Sequence, residues 1–321
     1  MRKITKTLLG IGGAFCLIGA LLFIIGFTSG GTKYVHATNL NSMNAQKDNK
    51  ESANRFTLKK TEIPDFTSLN INLEDSDLNI EESPNEKSYI EYVQATKDKK
   101  NPLSYSIENG TLTLKEAGNT GASYYINVDI SFLQAALSSK NIEDYTKESS
   151  KYENYVTLYL PKDKLVSSAK IYLGYGDFYI KNAAFDTINI KLDDGDFDAN
   201  TLTANSGKLT FSYGDCDLQK ASLGNISLTS KDGDLTVNEL TLSGKTKIAL
   251  SYGDAEITLN DSTKKVSGFD LATHYGTITA SGLNGNKTVD EDDDVNTFQS
   301  DSKDGKTKLA IDSKDGDITL K

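Results

Sequence analysis

The sequence predicts an all-β chain: a parallel β-solenoid with a repeat of about nineteen residues, preceded by one N-terminal transmembrane helix. Three observations predict it. Glycine-centred triplets recur at near-constant spacing, apolar residues alternate two apart on either side of each, and one long uncharged stretch stands near the start.

Residues 1–7 form a short basic tail carrying Arg2, Lys3 and Lys6. Residues 8–27 follow as twenty residues without a charge, which at about 1.5 Å each span a hydrocarbon core of about 30 Å. Basic residues in front of the span leave the tail in the cytoplasm and send the rest outside. The run is longer than the apolar region of a cleaved signal. Val35-His36-Ala37, a small-residue site that could serve for cleavage, lies well beyond it, so a retained anchor is expected. Bulky Phe15 before Cys16 argues against lipid attachment there. Residues 28–55, rich in Ser, Thr, Asn, Lys and Gly, read as a flexible tether.

Residues 56–160 read as an N-terminal β region. Asp75-Ser76-Asp77 and Asn109-Gly110-Thr111 are weak copies of the turn found later. Residues 118–150 break the pattern, with a possible short helix at 130–137, and residues 155–160 read as a strand stopped by Pro161.

Residues 161–321 carry the regular array. Tyr175-Gly176-Asp177, Asp194-Gly195-Asp196, Tyr213-Gly214-Asp215, Asp232-Gly233-Asp234 and Tyr252-Gly253-Asp254 have glycines 19, 19, 19 and 20 residues apart. Tyr275-Gly276-Thr277 and Asp315-Gly316-Asp317 continue after gaps of 23 and 40. Five residues before these glycines stand Ile171, Ile190, Leu209, Leu228, Ile248, Leu271 and Ile311. Two residues after them come Phe178, Phe197, Cys216, Leu235, Ala255, Ile278 and Ile318. Each unit is therefore strand, glycine turn, strand. A single unit cannot bury its apolar face, whereas a stack of units can. A meander of antiparallel hairpins has the same side-chain parity and stays open as the alternative; constant spacing favours coils. The region before the array is expected to pack on the first coil. The link between Gly276 and Gly316, with its acid run at 290–294, reads as a solvated loop.

Composition narrows function. The 321 residues carry 35 Lys+Arg and 45 Asp+Glu, a formal charge of −10; without the three basic residues of the tail, 32 stand against 45, or −13. Such a chain is a poor ligand for phosphate backbones, so no nucleic-acid partner is expected. Two cysteines exclude a disulfide scaffold or a Cys-rich metal site. Cys216 occupies an inward strand position and reads as core, and His274 as an exposed turn residue.

The aspartates after the turn glycines, Asp177, Asp196, Asp215, Asp234 and Asp254, recur once per unit. They read first as caps of their own turns. Calcium is the alternative, since it takes several carboxylate oxygens, but the glycine pairs of calcium-binding nonapeptides are absent. No other cofactor, catalytic residue or metal site is expected. Ahead of the glycines, Tyr alternates with Asp: either a surface device that relieves repulsion, or a face that contacts sugars or a partner protein. Acid pairs repeated in every coil do not resemble the singular pair of a glycosidase, so an enzyme is not expected.

The anchor, the opening strand–turn–strand around Asp75-Ser76-Asp77, the segment 156–163 (VTLYLPKD) and the YGD and DGD turns together resemble the "putative adhesin" family of membrane-anchored β-strand-repeat proteins. The resemblance covers about residues 56–321 and is similar to members encoded beside Lia-type envelope-stress systems in Gram-positive bacteria. The family has no assigned function; the anchor, the tether and the coil repeat lead to the expectation of a single-pass cell-membrane protein with its C-terminal domain outside, acting as an adhesin, envelope-binding or scaffold module. The expected partners are an envelope protein or cell-wall glycan. Accessory service in stress signalling is the alternative, and a carbohydrate-active β-helix enzyme a remote one. The family brings no catalytic residues.

Overall fold

Parallel pairing at an offset of 19 or 20 residues organises the regular array. The computed structural model describes residues 54–96, 99–117, 154–290 and 294–321. The basic tail, the apolar segment 8–27, nearly all of the tether and the candidate helix at 130–137 lie outside the described residues. Among those described, no helix is long and apolar enough to cross a membrane.

The N-terminal part contains β1 (Asn54–Ile63), β2 (Ser68–Leu73), β3 (Asp77–Glu82), β4 (Ser88–Thr96), β5 (Leu103–Glu108), β6 (Thr111–Glu116) and β7 (Tyr155–Leu160). The regular array contains β8 (Leu165–Tyr175), β9 (Phe178–Ile180), β10 (Ala183–Asp194), β11 (Phe197–Phe211), β12 (Cys216–Asp232), β13 (Leu235–Leu242), β14 (Lys245–Tyr252) and β15 (Ala255–Leu259). A short helix, α1 (Asp261–Val266), is followed by β16 (Gly268–Tyr275), β17 (Ile278–Ala280), β18 (Asn286–Asp290), β19 (Val295–Ser300), β20 (Lys308–Asp315) and β21 (Ile318–Leu320). Among the described residues, all twenty-one strands belong to one hydrogen-bonded sheet.

Side chains set the register. Ile171 pairs with Ile190, Ile190 with Leu209, Leu209 with Leu228, and Leu228 with Ile248. Every pair is parallel, which excludes the hairpin meander in this region. A one-residue slip would turn the whole column out to water, so burial of about 1.5–3 kcal/mol per side chain fixes the offset. A second buried column runs Leu78, Phe178, Phe197, Cys216, Leu235, Ala255. The rings of Phe178 and Phe197 lie 5.2 Å apart, and Phe211 packs 5.5 Å from Phe197. Cys216 is a free, buried cysteine whose thiol pKa is pushed up by that burial.

Both ends depart from the sequence expectation. The Asp75-Ser76-Asp77 segment does not merely pack on the first coil. It is a coil: β2 pairs with β8 and β3 with β9, both in parallel. Asn109-Gly110 is not a coil turn. Both residues have positive φ (49° and 72°), the signature of a two-residue hairpin turn, and they join antiparallel β5 and β6. Asn54 and Arg55, grouped with the tether by composition, are paired with Thr96 and Ala95.

At the other end the order in space is not the order in sequence. β20 lies between β14 and β16, and β21 between β15 and β17. The last repeat is thus inserted ahead of the Tyr275 repeat. The link expected to be a solvated loop carries antiparallel β18 and β19, with β19 paired to β16. Helix α1, absent from the sequence reading, begins at Asn260, whose side chain accepts the Thr263 N–H at 2.8 Å.

Candidate functional site: the glycine-turn edge

The turns form one edge of the stack. Counting along it, the central residues are Ser76, Gly176, Gly195, Gly214, Gly233, Gly253, Gly316 and Gly276. Glycine is needed here for two reasons. Gly214 has φ +119°, and a Cβ on it would stand 2.2 Å from the Gly195 carbonyl oxygen. Each glycine N–H donates to the carbonyl of the residue before the glycine in the next rung, as Gly195 does to Tyr213 at 3.1 Å.

The aspartate after the glycine works between rungs. The Asp177 N–H donates to an Asp77 carboxylate oxygen at 2.9 Å, Asp196 to Asp177 at 2.9 Å, and Asp215 to Asp196 at 2.8 Å. Asp234, Asp254, Asp317 and Thr277 extend the series, each donating at 2.8 Å to the carboxylate of the rung before. The expected cap on its own turn is therefore corrected: each carboxylate caps its neighbour's backbone. This also answers the repulsion of stacked acids, because an N–H sits between successive carboxylates. Asp198, paired with Asp217 in the adjacent outward column, has its pKa raised by burial and then by the surrounding acids. Among the described residues, no group of three or more His, Cys, Asp or Glu is arranged to hold a metal.

The residue before the glycine gives the edge its chemistry. Asp194 stands beside Tyr175, Asp232 beside Tyr252, and Asp315 between Tyr252 and Tyr275. Tyr213 falls between Asp194 and Asp232, joined through the Gly195 and Gly214 N–H groups. Leu73 pairs with Leu173, which sets exposed Asp75 beside Tyr175. The spatial order is thus Asp75, Tyr175, Asp194, Tyr213, Asp232, Tyr252, Asp315, Tyr275. Sequence order alone would put Tyr252 next to Tyr275; the inserted last repeat restores the alternation. Exposures of 62%, 47%, 58% and 64% leave Tyr175, Tyr213, Tyr252 and Tyr275 open to solvent. Tyr213 is the most covered because Lys231 Nζ donates to its hydroxyl at 3.0 Å and lies 4.9 Å from its ring centre.

Both ends of the edge are closed. At the first rung, buried Glu116 accepts the N–H groups of Glu74 and Asp75 at 2.8 and 3.1 Å, and Gln94 Nε2 donates to Ser76 Oγ at 2.9 Å. Burial raises the Glu116 pKa above its ordinary value of 4.5, against the pull of those hydrogen bonds. At the last rung, Asn296 Nδ2 donates to the Gly276 carbonyl at 2.7 Å, the oxygen over which the glycine of a further rung would otherwise lie. Tyr275, Val289, Asp294 and Asn296 line a cleft of about 310 Å³ there. His274, expected as an exposed turn residue, is half exposed, with Nε2 3.7 Å from Asp312. Sequence reasoning missed Asp75 as a member of the column and Glu116 as its closure. The first was legible in the Asp-Ser-Asp triplet, whereas the second had no local signal.

No curated protein matches the chain. Among solved structures, one described as "a putative cell adhesion protein" from Clostridium sporogenes is 13% identical, covering 82% of this chain and 99% of its own, with a TM-score of 0.35. "A putative adhesin" from Bacteroides fragilis is 11% identical, covering 84% and 99%, with a TM-score of 0.38. Another from Parabacteroides merdae is 12% identical, covering 83% and 96%, with a TM-score of 0.37. The Toastrack DUF4097 family model matches residues 66–321, the whole stack from before its first rung to its last residue, and the chain belongs to that family.

Proposed function

We propose that this chain is a non-enzymatic module of the cell envelope, anchored in the membrane by residues 8–27 with its β stack outside, and that the Tyr/Asp edge is its binding face. The observation that carries the reading is the spatial alternation of Tyr and Asp across eight rungs. Stack stability does not require it, because the rungs are joined through backbone, glycine and capping aspartate. Exposed tyrosines bring a large contact area with a polar tip, a property suited to recognition. The names of the related adhesion proteins agree with such a role.

The test uses the full-length chain in lipid nanodiscs, sedimented with membrane-free cell walls. The wild type is expected in the pellet, and the Tyr175→Ser/Tyr252→Ser/Tyr275→Ser variant in the supernatant with its circular dichroism unchanged. Equal pelleting of both would overturn the binding-face reading. Protease treatment of intact cells should digest the stack; complete protection would overturn the outward orientation.

A further inference from the structure

We propose that the Tyr/Asp edge is a track for a linear β-1,4-linked glycan bearing free amines, docked at one sugar per rung. This rests on the binding-face reading above and names its ligand class.

The first argument is period. Successive rungs advance by about 4.8 Å, so like residues recur every ~9.6 Å. An extended β-1,4-linked chain advances by nearly one rung per pyranose ring and turns over at every linkage, so its true repeat is two sugars. The edge has the same two-unit order, an aromatic ring and then an acid.

The second argument is chemistry. The C–H face of a pyranose ring stacks on a tyrosine, and the next, inverted sugar turns a different set of donors to the protein. The exposed carboxylates of Asp75, Asp194, Asp232 and Asp315 are acceptors for hydroxyl or ammonium groups at those rungs. A capping aspartate stands one residue beyond the glycine in every rung but the last, where Thr277 replaces it, so the edge is acidic along its length. Anionic polymers are repelled and an amine-bearing chain is drawn in.

Other linear polymers fit less well. A β-strand advances by about 3.3 Å per residue and falls out of phase with the rungs. A polyproline II helix advances by about 3.1 Å per residue, so three residues nearly match two rungs. Its backbone, however, presents carbonyl acceptors to the intervening aspartates, where a glycan presents donors. The track is also finite. Glu116 and Ser76 close one end, and Asn296 with the β18–β19 hairpin closes the other, leaving eight positions.

The test measures binding of β-1,4-linked glucosamine oligomers of two to twelve units to the full-length chain in nanodiscs. Affinity is expected to climb with length and level off at about eight units. Tyr252→Ala and Tyr275→Ala should each weaken the octamer about tenfold, and Tyr213→Ala less, because Lys231 already covers that ring. Tyr105, exposed but off this edge, supplies the control: Tyr105→Ala should leave binding unchanged. Asp232→Asn/Asp315→Asn should weaken the amine oligomer severalfold while cellohexaose is unaffected.

Length-independent binding, or tyrosine variants that bind as well as wild type, would reduce the interaction to diffuse charge attraction and overturn the track. Cellohexaose binding as tightly as the glucosamine hexamer would overturn the requirement for amines. Preference for a basic proline-rich peptide would overturn the ligand class. If cell walls pellet the chain in a tyrosine-dependent way but no oligomer binds, this proposal fails while the binding face stands.

Discussion

Interior rungs and end rungs of the stack are held by different chemistry. Inside, each turn places a glycine over the carbonyl of its neighbour and a carboxylate under the next N–H. At the first rung the glycine is replaced by Ser76, and the missing neighbour by the side chains of Glu116 and Gln94. At the last rung the capping aspartate is replaced by Thr277, which has no further N–H to receive. A repeating contact can be made of backbone and one short side chain, but its ends need partners borrowed from elsewhere in the chain. The two kinds of rung should therefore fail differently when altered.

The largest effect should come from the interior. Gly214→Ala combines a strained φ with a Cβ 2.2 Å from the Gly195 carbonyl oxygen, so the rungs must separate. We expect a loss of about 3 kcal/mol or more in urea unfolding. Ser76→Ala at the first rung removes the Gln94 hydrogen bond and the one to Glu116, and should cost about 2 kcal/mol. If the end substitution proves the more damaging, the distinction drawn above is wrong.

Next in size is the closure of the first rung. Glu116→Ala leaves two partly buried backbone N–H groups without their carboxylate, at a cost of about 2 kcal/mol. Asp215→Ala strands only the exposed Asp234 N–H, which water can reach, and should cost about 1 kcal/mol. Asp215→Asn keeps an acceptor oxygen and should cost less still. Hydrogen exchange at the Asp234 amide reads the cap directly: it should quicken in Asp215→Ala and stay slow in Asp215→Asn.

The interior was legible in the sequence and the ends were not, for a physical reason. In the array each side chain meets its counterpart one repeat away, so Ile171, Ile190, Leu209 and Leu228 announce their pairing by spacing alone. The ends depend on contacts between distant segments. Nothing near Glu116 says that it faces Glu74 and Asp75, forty-odd residues away. The Asn109-Gly110 turn shares the apolar flanks of the repeats but has positive φ at two residues, where the coil turns between the first and last rungs have one. The insertion of the last repeat was written in two small signs. Thr277 replaces the aspartate that only an outermost rung can lose, and the Tyr/Asp alternation fails in sequence order but holds when the Asp315 rung precedes the Tyr275 rung. The role of the aspartates was half legible: their recurrence marked them as structural, but only coordinates could assign the bond to the neighbour.

The smallest effect separates the closed first rung from the interior by pH. Glu116 has its pKa raised chiefly by burial, with the Asp75 carboxylate adding to the rise. The folded protein therefore holds this proton more tightly than the unfolded chain, whose carboxyl titrates near 4.5. Its contribution to stability is fully present below about that value and is lost as pH rises through the folded pKa, becoming constant above it. Carboxylates with lowered pKa run the opposite way: Asp65 beside Lys164, and Asp270 beside Lys308, stabilise above their unfolded pKa and lose that contribution in acid. The total pH profile mixes both signs, but the difference between wild type and Glu116→Gln isolates one. The stability of wild type relative to the variant should decline as pH is raised from the unfolded value through the folded one. A difference that instead grows with pH would mean that the Glu74 and Asp75 N–H groups outweigh burial, making the closed first rung electrostatically like the open interior ones.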